Sequence, residues 1–324
     1  KISKLILIER HEPSLYLIDQ KLKMNTNNNI PIIPILNNLQ SDQELIKIFN
    51  KYKVSVVYHG AAYKHVPLVE ANALAAIENN IFSTKMLCQA CLESNIKHLI
   101  LISTDKAVRP TNIMGATKRV SELIIQAFSK EIKESNKEYS SNKLFSMVRF
   151  GNVLDSSGSV VPLFRKQIKD GGPITVTHPK VIRYFMTISE AAQLVIQATQ
   201  MVNGGEVFLL DMGQPVSILD LAKDMIRLSG LKIKDYKNPD GDIEIQIVGL
   251  RDGEKLFEEL LINSKAMPTN NPLIYRAEEE FIDPKKLWNQ IEELKYSIEQ
   301  GDTNRALDCL KNIVPEWQSS KNIN

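Results

Sequence analysis

The chain has 324 residues, 43% of them hydrophobic, with 40 basic against 38 acidic side chains and a formal charge of +2. That length buries a substantial core, in one large domain or two modest ones, and so even a charge balance excludes the basic footprint of a nucleic-acid binder, leaving small-molecule chemistry as the default. Three cysteines make no disulfide framework and fit a reducing, cytoplasmic setting, and no run reaches the roughly 18 uncharged apolar residues of a membrane span.

The chain opens at Lys1 rather than Met and soon enters an apolar strand over residues 4–8. A missing segment upstream is expected, with room before it for a membrane anchor. Further strands rich in Val, Ile and Leu are predicted over 30–35, 54–58, 98–103 and 144–150, as in strands covered on both faces. Helical patterns over 13–23, 42–52, 67–94 and 113–132 alternate with them, and residues 25–29 read as a polar surface loop. The alternation predicts an α/β chain with a Rossmann-like, doubly wound parallel sheet over 1–150. Cys88 and Cys91 form a C-x-x-C inside the third helical pattern with no second Cys/His pair nearby. They read as small buried hydrophobes, and no metal site is predicted.

Residues 151–318 are expected to form a smaller α+β substrate-binding region and C-terminal helices. Gly158, Gly171, Gly172 and Pro173 punctuate a long connection before a helix over 188–202. Strands near 206–210 and 244–248 and helices near 218–229 and 254–261 follow, with 188–210 returning to the sheet. Two helices separated by Gly301-Asp302 fill 283–317, and 319–324 read as a frayed tail.

A Rossmann domain holds dinucleotide through a glycine-rich turn after its first strand, yet the first glycine here is Gly60. Residues 4–8 lead into Glu9-Arg10-His11-Glu12-Pro13, so they read as the second strand. Glu9 then stands where an acid hydrogen-bonds the adenosine ribose, or else it is a surface acid at the start of a helix. Two accounts remain: a chain lacking its amino terminus, or a protein that has abandoned the cofactor. The intact motifs downstream favour the first.

The strand over 98–103 ends in Ser103-Thr104-Asp105-Lys106, which sets a hydroxyl, a carboxylate and an ammonium at the carboxyl edge of a parallel sheet, where such sheets bind ligands. Lys118 follows near the start of the next helix, and its four-residue spacing from Met114 puts both on one face.

The run Ser103-Thr104-Asp105-Lys106-Ala107-Val108-Arg109-Pro110-Thr111-Asn112-Ile113-Met114-Gly115-Ala116-Thr117-Lys118-Arg119 resembles the active-site signature of the CapD-like polysaccharide-biosynthesis proteins, UDP-N-acetylglucosamine 4,6-dehydratases of the extended short-chain dehydrogenase/reductase superfamily. His59-Gly60-Ala61-Ala62-Tyr63-Lys64-His65-Val66-Pro67, Arg149-Phe150-Gly151-Asn152-Val153-Leu154, Ser156-Ser157-Gly158-Ser159-Val160-Val161-Pro162-Leu163-Phe164, Thr175-Val176-Thr177-His178-Pro179, Arg183-Tyr184-Phe185-Met186-Thr187 and Gly249-Leu250-Arg251-Asp252-Gly253-Glu254-Lys255 match in order, over nearly the whole chain.

Most members of that superfamily carry Tyr where this chain has Met114, and a thioether is neither acid nor base. The resemblance places the chain in the Met-containing branch, which implies retention at C5 of the sugar. It implies that NAD or NADP, with NAD favoured, takes hydride from C4 and returns it to C6 within each turnover. Lys106 removes the C5 proton, Asp105 protonates the departing C6 hydroxyl, Thr104 holds the C4 oxygen, and Lys118 holds the nicotinamide ribose beside Ser103. For that role the Lys106 pKa is expected to be lowered, by burial and by Lys118.

Ala61 and Ala62, small residues that let backbone pass close, are expected along the cofactor with Lys64 and with Asn80 of the Asn80-Ile81-Phe82-Ser83-Thr84 stretch. Asn38, with Leu39, stands at the adenine in place of a family Gly-Asp. His65, Asn152, Val161, Arg183, Arg251 and Glu254 are expected around the UDP-sugar, Asn152 and Arg251 at its diphosphate. The resemblance implies a homo-oligomer, at least a dimer, through the helices over 67–94 and 113–132. The rival readings are a nucleotide-sugar 4-epimerase, a dehydratase that inverts C5, and a non-catalytic dinucleotide-binding scaffold.

Overall fold

The computed structural model describes residues 2–25, 30–38, 41–135, 142–259, 266–279 and 281–318. Its first half runs β1 (Leu5–Glu9), α1 (Glu12–Asn25), β2 (Ile32–Leu36), α2 (Asp42–Tyr52), β3 (Val56–His59), α3 (Val66–Ala71), α4 (Ala73–Ile77), a π-turn over Glu78–Phe82, α5 (Ser83–Leu92), β4 (His98–Thr104), α6 (Ile113–Glu134) and β5 (Leu144–Phe150). Then come β6 (Asn152–Val153), α7 (Val160–Lys169), β7 (Ile174–Val176), β8 (Ile182–Arg183), β9 (Phe185–Met186), α8 (Ile188–Ala198), β10 (Val207–Leu210), β11 (Val216–Ser217), α9 (Ile218–Leu228), β12 (Ile233–Lys234), β13 (Ile243–Ile247), β14 (Met267–Pro268), β15 (Ile274–Ala277), α10 (Pro284–Glu299) and α11 (Thr303–Ile313).

The main sheet has the order β3-β4-β5-β10-β15-β14, with β3, β4, β5 and β10 parallel and the last two antiparallel. β1 and β2 pair in parallel as a separate sheet. These orders fit the doubly wound sequence 3-2-1-4-5-6 when β2 and β1 are its strands 3 and 2 and β3 to β5 its strands 4 to 6. Under that numbering residues 4–8 are a second strand.

Helices cover both faces of the sheet. One core packs α2 to α6 and the C-terminal helices on the central strands; a second sets α8 against the opposite face around Val148, Phe208 and Leu210. A third, separate core of Phe164, Ile174, Val176, Ala222, Ile226 and Ile243 holds the smaller lobe of α7, α9, β7, β12 and β13 together. The strands β10 and β15 and the helices α10 and α11 return to the first core because their apolar faces complete it.

Two expectations change. The helix predicted over 67–94 is broken: Asn72 leaves helical space (φ −134°, ψ 53°) while its Nδ2 bonds back to Leu68 O at 2.9 Å, and the π-turn follows. The helix predicted over 254–261 is irregular chain through 259, because backbone from this stretch bonds outward. Leu256 O accepts from Ile182 N at 3.2 Å and from Arg183 Nη1 at 3.1 Å, and Lys255 O accepts from Arg183 Nη2 at 2.7 Å.

Most of α6 is buried within the chain itself, with Trp288 of α10 edge-on to Phe128 at 5.1 Å and donating to Glu131 Oε1 at 2.6 Å. Lys85 of α5 bonds Glu292 of α10 at 2.6 Å. Within the chain, α10 thus packs on α6 and meets α5.

Candidate active site

The carboxyl ends of β3, β4 and β5 open into a cavity of about 490 Å³, closed on its far side by the smaller lobe. From β4 and the turn after it come Ser103, Thr104 and Lys106; from α6, Met114 and Lys118. Asn152, Arg183, Arg251 and Glu254 line the lobe side, with Ala62, Lys64 and His65 on the loop after β3. Twelve of the residues expected from sequence thus meet at one cavity.

Local chemistry makes this geometry. Asn112 caps α6, its side chain accepting from Gly115 N at 2.8 Å, which starts the helix beside the turn that follows β4. Gly115 then lies flush on that turn: a Cβ built there would sit 2.2 Å from Lys106 O. Gly115→Ala is expected to destabilise the protein by about 1–3 kcal/mol, the cost of overpacking, and to move Lys106 away from α6. Denaturant unfolding checks the first; an unchanged midpoint would mean the turn accommodates the methyl. Gly158 plays a similar part, since a Cβ at its φ of +69° would lie 2.2 Å from His65 Cε1.

Lys106 Nζ stands 2.9 Å from Asp105 Oδ1, 3.2 Å from Asn152 Oδ1 and 3.8 Å from Glu258 Oε1. Thr104 Oγ1 donates to the same Asp105 oxygen at 2.8 Å. Asp105 is 2% exposed and sits behind the cavity wall, reaching it through Thr104 and Lys106. The Lys106 pKa is raised, contrary to expectation: burial pushes the amine down, but Asp105 and Glu258 outweigh it. Lys118 is depressed instead, brought to about 8 by burial against the opposing pull of Glu122, with its Nζ donating to Ile102 O at 2.7 Å, and burial lowers Lys64 as well.

Several expected contacts are engaged elsewhere. Glu9 accepts from Arg10 N and His11 N at 2.8 and 2.9 Å in the turn that leads into α1. Asn38 and Ala61 are exposed and lie outside the cavity wall, and Leu39 lies outside the described residues. Asn80 is buried one layer back, where its amide staples Tyr63: Oδ1 accepts from Tyr63 N at 2.7 Å and Nδ2 donates to Tyr63 O at 3.0 Å. Val160 lines the cavity, while Val161 packs behind it. Arg183 is held by loop carbonyls, Asn152 by Lys106, and Glu254 accepts from Thr177 Oγ1 at 3.0 Å. Arg251, exposed at the rim, and Lys64, whose Nζ donates to Ser157 O at 2.7 Å, are the cations best placed for an anion.

Sequence reasoning missed the support beneath. Glu122 receives Ser103 Oγ at 2.6 Å and Arg149 Nε and Nη2 at 2.7 and 2.6 Å, and Arg149 also bonds both oxygens of Glu279 at 2.7 Å. Arg119 ties the group to Glu316 at 3.2 Å. The sequence signal was Arg149 inside a mostly apolar strand, β5, whereas Glu122 stands among other polar residues of α6. Among the described residues no group of His, Cys, Asp and Glu could hold a metal, and Cys88 and Cys91 are buried free thiols raised in pKa chiefly by burial.

The residues fit one end of a nicotinamide dinucleotide. Gly60, Ala62 and Ser103 leave a wall of small side chains, and Lys118 holds a buried ammonium beside it. No glycine-rich turn for a pyrophosphate occurs in the chain ahead of Gly60.

Comparisons agree with this architecture. The chain is 49% identical over 265 residues to the capsular polysaccharide biosynthesis protein CapD of Staphylococcus aureus, covering 82% of this chain but 42% of that protein, so it spans less than half of that relative's length. It is 31% identical over 278 residues to a UDP-N-acetylglucosamine 4,6-dehydratase (inverting) of Campylobacter jejuni, covering 83% of this chain and 75% of that one. The solved structure of Pen from Bacillus thuringiensis superposes with a TM-score of 0.71 at 31% identity, over 90% of this chain and 89% of Pen. The NAD-bound DesIV double mutant, a dTDP-glucose 4,6-dehydratase of Streptomyces venezuelae, shares the fold at a TM-score of 0.63 and 16% identity, over 79% and 78% of the two chains. The model of the polysaccharide biosynthesis protein family matches residues 1–279, and with its doubly wound sheet and edge cavity the chain belongs to that family.

Proposed function

We propose that the chain is the catalytic region of an NAD(P)-dependent UDP-N-acetylglucosamine 4,6-dehydratase that retains configuration at C5 and makes a UDP-4-keto-6-deoxy sugar for surface polysaccharide. The observation that carries the reading is the meeting of Thr104, Lys106, Met114 and Lys118 at one cavity, with Asp105 directly behind Lys106. The named dehydratase activity of the Campylobacter relative supports it at lower identity.

A nicotinamide held beside Lys118 and Ser103 would supply the hydride exchange between C4 and C6. Thr104 holds the C4 oxygen. Lys106 passes its ammonium proton to Asp105, 2.9 Å away, and as the free amine takes the C5 proton, while Asp105 gives the proton it received to the departing C6 hydroxyl. Met114 fills the position of a proton-exchanging Tyr without exchanging one, and Lys118 binds the nicotinamide ribose. Asn152 steadies Lys106, while Arg251 and Lys64 receive the diphosphate. NAD is the favoured cofactor. The active form is a homo-oligomer in the cytoplasm; no described helix is long and apolar enough to cross a membrane.

Mass spectrometry of UDP-N-acetylglucosamine incubated with NAD⁺ tests the reading, using this chain and a form extended at its amino terminus. Loss of one water with the extended form is the expected result. Cofactor binding without any loss of mass would replace the reading with a 4-epimerase or a different sugar, and proton NMR of the product reads the C5 configuration.

A further inference from the structure

Residues 249–259 leave the smaller lobe and are fastened onto the catalytic turn. Thr111 Oγ1 and Asn112 Nδ2 donate to Gly253 O at 2.6 and 3.1 Å, and Lys255 Nζ donates to Val108 O at 2.8 Å. Arg109 Nη1 meets Glu259 Oε2 at 2.8 Å. Gly253, at φ +72°, passes so close that a Cβ there would lie 2.8 Å from Thr111 O. The same segment carries Arg251 and Glu254 to the cavity.

Its far end places Glu258 against the reacting cluster. That side chain is 5% exposed, with Oε1 3.8 Å from Lys106 Nζ and 3.9 Å from Arg183 Nε. Among the described residues its Oε2 is buried and has no hydrogen-bond partner. A buried carboxyl oxygen left so costs stability, and buried polar groups of this kind are rare enough to need a reason.

We infer that Glu258 is a positioning residue for Lys106, holding that amine in the cluster and governing when it can give up its proton. The inference rests on the dehydratase reading for its purpose. Lys106 faces Asp105, Glu258 and Arg183, and Glu258 faces Lys106, Asp105, Arg183 and Lys255. Burial raises the Glu258 pKa, with Asp105 adding to it and Lys106, Arg183 and Lys255 opposing. The carboxyl therefore changes charge more readily than an exposed one. While charged it keeps the proton on Lys106; once neutral it releases that hold, and the free amine is then available for C5. The attachment of its segment to both Arg251 and the turn links this control to the end of the cavity where a diphosphate would bind.

The test follows Lys106 itself. In the extended, cofactor-bound protein, the Lys106 side-chain NMR signal is identified by its loss in Lys106→Arg and titrated in wild type, Glu258→Gln and Glu258→Asp. The midpoint is expected to fall by about one pH unit in Glu258→Gln, the size of shift a close charge produces, and by less in Glu258→Asp, which keeps a carboxylate. Exchange of the C5 proton with solvent should show the same displacement in its pH profile, whereas a merely structural role would lower the rate without moving the inflection. A Lys106 midpoint that stays put in both variants overturns the inference. A moved midpoint in a protein that neither exchanges C5 nor loses water leaves the inference standing and overturns the dehydratase reading instead.

Discussion

Glu122→Gln is expected to lower stability by about 3–5 kcal/mol, the usual cost of removing one partner from a buried ionic group. Glu122 and Arg149 are both fully enclosed, and four hydrogen bonds converge on the Glu122 carboxylate from Ser103, Arg149 and Arg119. Glutamine keeps the shape but leaves two guanidinium groups facing a neutral amide, with Glu279 and Glu316 as the remaining partners. The pH dependence has a definite sign. Burial alone raises the Glu122 pKa, but Arg149, Arg119 and Ser103 overcome it and bring the group to about 2, below its ordinary 4.5. A carboxyl depressed in the folded state stabilises above its unfolded pKa and loses that contribution as pH falls from about 4.5 towards 2. By linkage this is on the order of 3 kcal/mol at neutral pH. Denaturant unfolding at several pH values checks both parts. Wild type should weaken across that window, and Glu122→Gln should be weaker at neutral pH with a flatter acid limb. A neutral-pH difference under about 0.5 kcal/mol would show that the network contributes specificity rather than stability.

This group also marks how far the sequence could be read. Period and composition sufficed for the parallel strands, because residues 98–103 and 144–150 are apolar runs that only a doubly covered sheet accepts. Thr104, Lys106 and Lys118 could be placed because the end of a strand and the first turn of the following helix lie next to each other in any such sheet. The reach of long side chains is not a local property. Nothing near Arg149 in sequence says that Glu279, 130 residues away, completes its shell, or that Glu258, far from Lys106 along the chain, lies against it. The same blindness produced the wrong sign for Lys106, since burial is legible from pattern and a distant carboxylate is not. Local chemistry overrode propensity elsewhere: Asn72, an amide inside a helical pattern, engaged nearby backbone and broke the predicted helix over 67–94. Glu9, read as a ribose ligand or a helix-start acid, took the nearer partners in its own backbone.

Lys106→Met and Asp105→Asn are each expected to reduce water loss from the sugar by about 10²–10⁴-fold, the range for removing a placed acid or base, while leaving the cavity formed. The two should fail at different points. Lys106→Met keeps Thr104, Lys118 and the cavity wall, so hydride leaves C4 and reduced nicotinamide accumulates, visible in its near-ultraviolet absorbance, with no exchange at C5. Asp105→Asn keeps the amine but removes the carboxylate 2.9 Å from it, so the C5 proton exchanges with solvent while the C6 hydroxyl stays in place. Losing Asp105 also lets Lys106 shed its proton more easily, because the attraction that most opposed burial is gone. The exchange seen in Asp105→Asn should therefore extend to lower pH than in wild type. Water loss within tenfold of wild type in both variants would remove the elimination step from this cluster and place it elsewhere on the cavity wall.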